Sequence, residues 1–300
     1  MKLLISCILA RTQRDFKVDI CHHLWQGNHP HIVVILKDAD LARRFYMEIQ
    51  KKLTDAIKRL LDLEYLNIWA GTPRVIEIPD LESAIKMIAY YYANPAAAHL
   101  VESIEQYPGL SSWNDFGANM DKLGAVVVYE YPWIHLPTIP KLPRRSVSET
   151  QDRHIVDILL SKNKKMHRLE IKPNAWMRFF NITTDKEAAA VNARILARLH
   201  HNEKVCQRWR ERKGWRVLGG KALYEQPIMA PHTPKKHGRR IFCIAATKQL
   251  RIALIKEFKE FCAKCRECYR LWKLGDYLVQ WPPGAFLPPL PPLANAVEFS

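Results

Sequence analysis

The chain has 300 residues, 48% of them hydrophobic and 25% charged, which is enough to bury a core and corresponds to about two domains. Forty-six Lys and Arg face thirty Asp and Glu, a formal charge of +16; such a field draws phosphate backbones or anionic surfaces, or serves solubility alone. No stretch approaches the roughly 20 apolar residues that span a bilayer, and the opening MKLLISCILARTQRDF lacks the apolar length and cleavage site of a signal peptide. Seven cysteines without framework spacing exclude a disulfide scaffold and point to a reducing cytoplasm. The expected partner is a polyanion and not a membrane.

In chain order, an apolar stripe of Leu4 and Ile8 predicts a helix over residues 2 to 14, and KVDICHHLWQ alternates as a strand does. Gly27-Asn28 signals a turn, and the β-branched run from Ile32 to Leu36 fits a strand buried on both faces. Asp38 is placed to cap a helix in which Leu41, Phe45, Ile49, Leu53 and Ile57 recur at four-residue spacing. Arg43, Arg44, Lys51, Lys52, Lys58 and Arg59 give that helix a basic exterior. Arg74 to Ile78 reads as a further strand, Asp80 opens a second helix that Asn94-Pro95 interrupts, and Ala125 to Tyr131 reads as a strand.

The Pro-rich stretch from Pro132 onward marks a linker, which divides the chain into residues 1–131, a linker 132–145, a basic helical extension 146–280 and a Pro-rich tail 281–300. In the extension, a helix is predicted from Lys186 to about Arg212, and another from Gln249 to Trp272. Between Glu203 and Arg240 eleven cationic residues stand against three acidic ones. Arg208, Arg210, Arg212, Lys213, Arg239 and Arg240 are the candidate phosphate contacts. Trp209 and Trp215 among them either stack on unpaired bases or point into the core. The tail, rich in proline after Trp281, reads as extended and polyproline-like.

The chemistry begins at Asn28-His29-Pro30-His31. Residues two apart on a strand project to the same side, so both imidazoles can converge on one divalent ion. Pro30 cannot donate to a ladder, which sets the pair at the first residues of the strand. A lone pair of this kind is a weak signal, since histidines so placed are more often surface or core residues than ligands.

Gly27-Asn28-His29-Pro30-His31-Ile32-Val33-Val34, followed by a basic amphipathic helix, resembles the HUH strand of the single-tyrosine transposases, and the REP-associated branch among them. Tyr90-Tyr91-Tyr92-Ala93-Asn94-Pro95, then His99-Leu100-Val101 and Tyr107-Pro108-Gly109-Leu110-Ser111-Ser112-Trp113, resembles that branch's Asn-Pro helix end and Tyr-Pro-x-x-Ser-Ser-Trp segment. Ile68-Trp69-Ala70-Gly71 falls where the family commonly carries a Leu-Trp-Gln-Gly turn. The resemblance covers about residues 1 to 115. It implies an α/β (α+β) chain with a ferredoxin-like core of antiparallel sheet and packed helices. It also implies single-stranded or hairpin DNA as partner and a homodimer, as in the insertion-sequence relatives.

The implied mechanism is Mg²⁺- or Mn²⁺-dependent cleavage and rejoining of single-stranded DNA, with His29 and His31 as ligands and a tyrosine of the following helix as nucleophile. Counting from His31 and back from Trp69 sets that tyrosine near Thr54, where none stands, and Lys58 takes the place of an amide that would reach the metal. Tyr46 is the only tyrosine of that helix and becomes the candidate.

The family opens with a strand and this chain opens with a helix. Either the natural start lies upstream or a substitute strand exists, with Val126 to Tyr129 the candidate. A transposase that cleaves DNA and a non-enzymatic DNA-binding protein of the same descent both fit, with RNA binding a third reading. Cys262, Cys265 and Cys268 stack on one drifting helix face, with His200, His201 and Cys206 the remote candidates for completing a metal site.

Overall fold

The computed structural model describes residues 1–27, 29–69, 75–142, 148–226 and 244–290. Helix α1 (Lys2–Phe16) and strand β1 (Asp19–Gln26) form where periodicity places them. They are joined by Lys17 in the left-handed conformation. Strand β2 (His29–Ile35) returns antiparallel along β1, with Gln26 opposite His29, Leu24 opposite His31 and His23 opposite Ile32. Helix α2 (Ala39–Leu61) starts at Asp38, whose carboxylate accepts the Leu41 N–H at 2.7 Å.

Helix α3 (Leu81–Ala97) starts at Asp80 in the same way, through the Ser83 N–H at 2.8 Å. It was expected to stop at Asn94-Pro95, yet it runs through Pro95 to Ala97. The missing Pro95 N–H costs one helical bond. Burial of Tyr92, Ala93, Asn94, Pro95 and Ala96 holds the turn in place. The short strand β3 (Leu110–Ser111) pairs with β1, helix α4 (Trp113–Gly117) follows, and β4 (Val127–Pro132), helix α5 (Glu149–Lys162) and β5 (Met166–Ile171) complete the sheet. Helices α6 (Asp185–Lys213), α7 (Gly220–Tyr224) and α8 (Lys248–Lys273) are the last elements among the described residues. A strand was expected from Arg74 to Ile78; Arg74 lies outside the described residues, and only a single bridge forms, at Glu77.

The sheet runs β2-β1-β5-β4, with β3 beside β1 in line with β5. Since β5 pairs parallel with β1 while the other pairings are antiparallel, the sheet is mixed, not the antiparallel one expected. The candidate substitute strand does join the sheet as β4, but it pairs with β5 at the far edge and not beside β2. Among the described residues β2 is therefore an edge strand. Its side chains are mostly half-buried, in contrast to the doubly buried strand expected from Ile32 to Leu36.

The linker expected at 132–145 does not separate two cores. Strand β4 precedes it, β5 follows it, and both belong to one sheet. Ala188, Val191, Ile195 and Leu199 of α6 share a core with Ile85, Ile88 and Tyr92 of α3. The sheet carries α3 and α6 on one face and α1 and α2 on the other, where Phe45, Ile49 and Leu53 pack against Leu9, Ile20 and Trp25. Strand periodicity sorts β2 between them: Val33 and Ile35 meet the α3 side, and Ile32 and Val34 meet the α2 side. No described helix is long and apolar enough to cross a membrane.

Candidate functional site

The same alternation decides where the histidine pair points. His29 and His31 are in phase with Val33 and Ile35, so they face α3 and stand on the sheet face opposite α2. Their rings lie edge to face, with centroids 4.6 Å apart. His29 is exposed at the strand start, whereas His31 is half-buried. The Tyr91 ring stacks on His31 at 4.6 Å and 18°, and Tyr90 stands 6.4 Å away. The Asn94 amide nitrogen donates to His31 Nε2 at 2.6 Å. The Asn94 carbonyl receives the Gln26 amide at 3.5 Å, from the residue directly across the ladder from His29.

Helix α3 thus supplies three side chains to one spot because positions 90, 91 and 94 share a face at spacings of three and four residues. Burial, and secondarily His29, lowers the pKa of His31 to about 4, so its imidazole is neutral at pH 7 and keeps a lone pair for a metal or a donor. Burial pushes the Tyr91 phenol up to about 12, while its neighbour Tyr90 is 51% exposed.

The sequence-predicted nucleophile is not brought to this spot. Tyr46 rides on α2, across the sheet, half-buried and with its phenol raised to about 12 by desolvation. Thr54 is a structural residue: its hydroxyl donates to the Gln50 carbonyl at 2.8 Å and accepts the Trp69 indole N–H at 2.8 Å. Ala70 and Gly71, the rest of that turn motif, lie outside the described residues, as does Asn28. Tyr90 and Asn94, four residues apart on one helix face, form a phenol and amide pair readable in the sequence, one helix later than the family pattern places its tyrosine.

The second resembling segment is drawn to the same strands. The Tyr107 hydroxyl donates to the Trp25 carbonyl at 2.7 Å, and β3 seats Ser112 so that its Oγ accepts the His23 N–H at 2.8 Å. Gly109 is required beneath Tyr107, for a Cβ there would stand 2.2 Å from that ring. Ser112 Oγ also meets the buried Tyr92 hydroxyl at 3.0 Å, and that hydroxyl meets His22 Nδ1 at 2.9 Å.

The basic candidates separate by environment. On α2, Arg43 and Arg44 both pair with Asp40, and Lys52 bridges Glu48 and Asp15, while Lys51 is exposed. Lys52 also borders a cleft of about 270 Å³ beside Trp133, over whose ring Arg11 lies at 4.5 Å. On α6, Arg208, Arg212 and Lys213 are exposed, but Arg210 is not available to a phosphate. Only 2% exposed, it pairs with Glu102 and donates to the Ala96 carbonyl at 2.8 Å, so it serves the fold. Arg239 and Arg240 lie outside the described residues.

Among the described residues no group of three or more His, Cys, Asp or Glu side chains is arranged to hold a metal. Cys262, Cys265 and Cys268 are half-buried along α8, and Cys268 Sγ meets the Gln280 carbonyl at 3.4 Å. At His31 the Nε2 lone pair is taken by the Asn94 amide N–H, so a metal there would need that amide turned to present its oxygen. Comparison with known proteins found no matching family model, no similar curated protein and no similar solved structure.

Proposed function

We propose that the protein handles single-stranded or hairpin DNA and cleaves and rejoins it by transesterification, with Tyr90 as nucleophile and His29, His31 and Asn94 as the metal-holding set. The convergence of Asn94, Tyr90 and Tyr91 of α3 on His31 carries this reading. A bound Mg²⁺ or Mn²⁺ would supply polarisation of the scissile phosphate. The rest is the chain's own work. Helix α3 presents the exposed Tyr90 with its ring 6.4 Å from that of His31, Tyr91 stacks on the His31 ring and fixes its plane, and Gln26 holds the Asn94 backbone against β1.

As the Tyr90 oxygen attacks phosphorus it loses its proton, an O–P bond forms, and the bond to the 3′ oxygen breaks. That oxygen leaves as a hydroxyl with a proton. One phosphodiester replaces another of similar energy, so the step reverses and strands rejoin.

The test is incubation with labelled hairpin-bearing single-stranded DNA and Mn²⁺, followed by denaturing electrophoresis. The expected result is a covalent protein-DNA adduct that is lost in Tyr90→Phe and His31→Ala and kept in Tyr46→Phe. Salt-sensitive binding without any adduct would overturn the enzyme and leave a DNA-binding protein, the outcome that an all-neutral ligand set would favour.

A further inference from the structure

The C-terminal end of α6 carries an arrangement the transesterification does not use. After Lys213, Gly214 adopts φ +65°, and the Trp215 N–H returns to the Arg210 carbonyl at 3.0 Å. This reversal sets the Trp215 indole edge-on to Trp209, with centroids 5.0 Å apart. His99, just beyond α3, lies flat on Trp209 at 5.3 Å and 8° and meets Trp215 edge-on at 5.6 Å.

The three rings are held by backbone. The Leu218 N–H donates to the His99 carbonyl at 2.9 Å, and the Gly219 N–H to the Leu100 carbonyl at 2.8 Å. Beneath them the buried Arg210 ties α6 to the Ala96 carbonyl at the end of α3.

Of the two roles open to these tryptophans, the structure decides against the core. Trp209 is 40% exposed and Trp215 is 54% exposed. Arg208, Arg212, Lys213 and Arg216 are exposed around them, with Glu211 the acidic residue in the same stretch. A fixed aromatic face inside a cationic rim complements a strand whose bases are unpaired, because the bases stack while the rim meets the phosphates.

We propose that Trp215, braced by His99 and Trp209 and rimmed by Arg212, Lys213 and Arg216, is a stacking site for an unpaired base of single-stranded DNA. The proposal deepens the reading of the His31 site and rests on it for the identity of the polymer. Helix α3 ends at Ala97, three residues after Asn94 and two before His99, so the cluster stands at the end of the helix that also carries Tyr90 and Asn94, and one strand is proposed to span both.

The experiment measures binding of fluorescein-labelled oligothymidylate of about twelve nucleotides by anisotropy, without divalent ion, to the full chain in the Tyr90→Phe background. An abasic strand of the same length carries the phosphates without the bases. Trp215→Ala is expected to weaken oligothymidylate binding about tenfold or more, to leave the abasic strand unchanged, and to be largely restored by Trp215→Tyr. An unchanged affinity for oligothymidylate, or an equal loss for both strands, would overturn the stacking site. A tenfold preference for oligouridylate would overturn DNA as its ligand. Since Tyr90 and metal play no part in this readout, an absent covalent adduct with intact base-dependent binding would overturn the enzyme alone.

Discussion

Lowering the pH from about 6.5 to about 5 is expected to destabilise the fold by about 3 kcal/mol. Burial lowers the pKa of His22 to about 3 and of His23 and His31 to about 4, the first two with no escape to solvent at 2% and 5% exposure. In the unfolded chain each imidazole titrates near its ordinary value of about 6.5. Between the two values the unfolded state holds the proton and the folded state does not, so stability is present above about pH 6.5 and is lost as the pH falls toward about 4.

Glu203 acts in the other direction. Desolvation raises its carboxyl to about 7 while it accepts the Ile104 N–H, so in the same window the folded chain holds a proton the unfolded chain lacks. Three imidazoles less one carboxyl leave a difference of about two protons, or roughly 3 kcal/mol per pH unit. Against a total stability of about 5–15 kcal/mol this is a large fraction.

Urea unfolding followed by circular dichroism across the window measures the slope directly, and His22→Phe is expected to reduce it by about 1.4 kcal/mol per pH unit. A stability that stays flat or rises on acidification would refute the reasoning, because it would mean that the imidazoles accept protons inside the folded chain.

Other expectations follow from single contacts. Arg210→Ala removes a buried hydrogen bond to the end of α3 and the partner of Glu102, so a loss of about 2–3 kcal/mol is expected by urea unfolding. A loss under about 0.5 kcal/mol would return Arg210 to the phosphate contacts. Phe116→Ala empties a fully buried position and is expected to cost about 3–5 kcal/mol, again read from the urea midpoint. Replacing Cys262, Cys265 and Cys268 together by Ser is expected to change neither metal content by elemental analysis nor the unfolding midpoint, and bound zinc lost with the triple change would show a metal site on α8.

Most of the local structure was legible in the chain because it is a matter of period and caps. The stripe through Phe45, Ile49 and Leu53, and the carboxylates of Asp38 and Asp80, placed the starts of two helices where they form, although α3 runs on through Pro95. The His29 and His31 pair was legible for the same reason, since two residues apart on a strand always share a face.

What period cannot supply is the partner across that face. Tyr46 follows the histidines most closely in sequence, yet β2 turns both imidazoles away from α2, and α3 closes over them after a further forty residues of chain. The same limit hid the single sheet, for a Pro-rich stretch looks like a boundary from within, and only the pairing of β5 with β1 shows that the chain returns to its first strand. The two tryptophans of α6 were undecided between core and surface because helical spacing allows either. The αL turn at Gly214 and the buried Arg210 put them outside. Sequence by itself determined the elements and the residue types available for chemistry. Tertiary structure alone decided which of them meet, because contacts between residues distant in the chain are set by packing and not by any local preference.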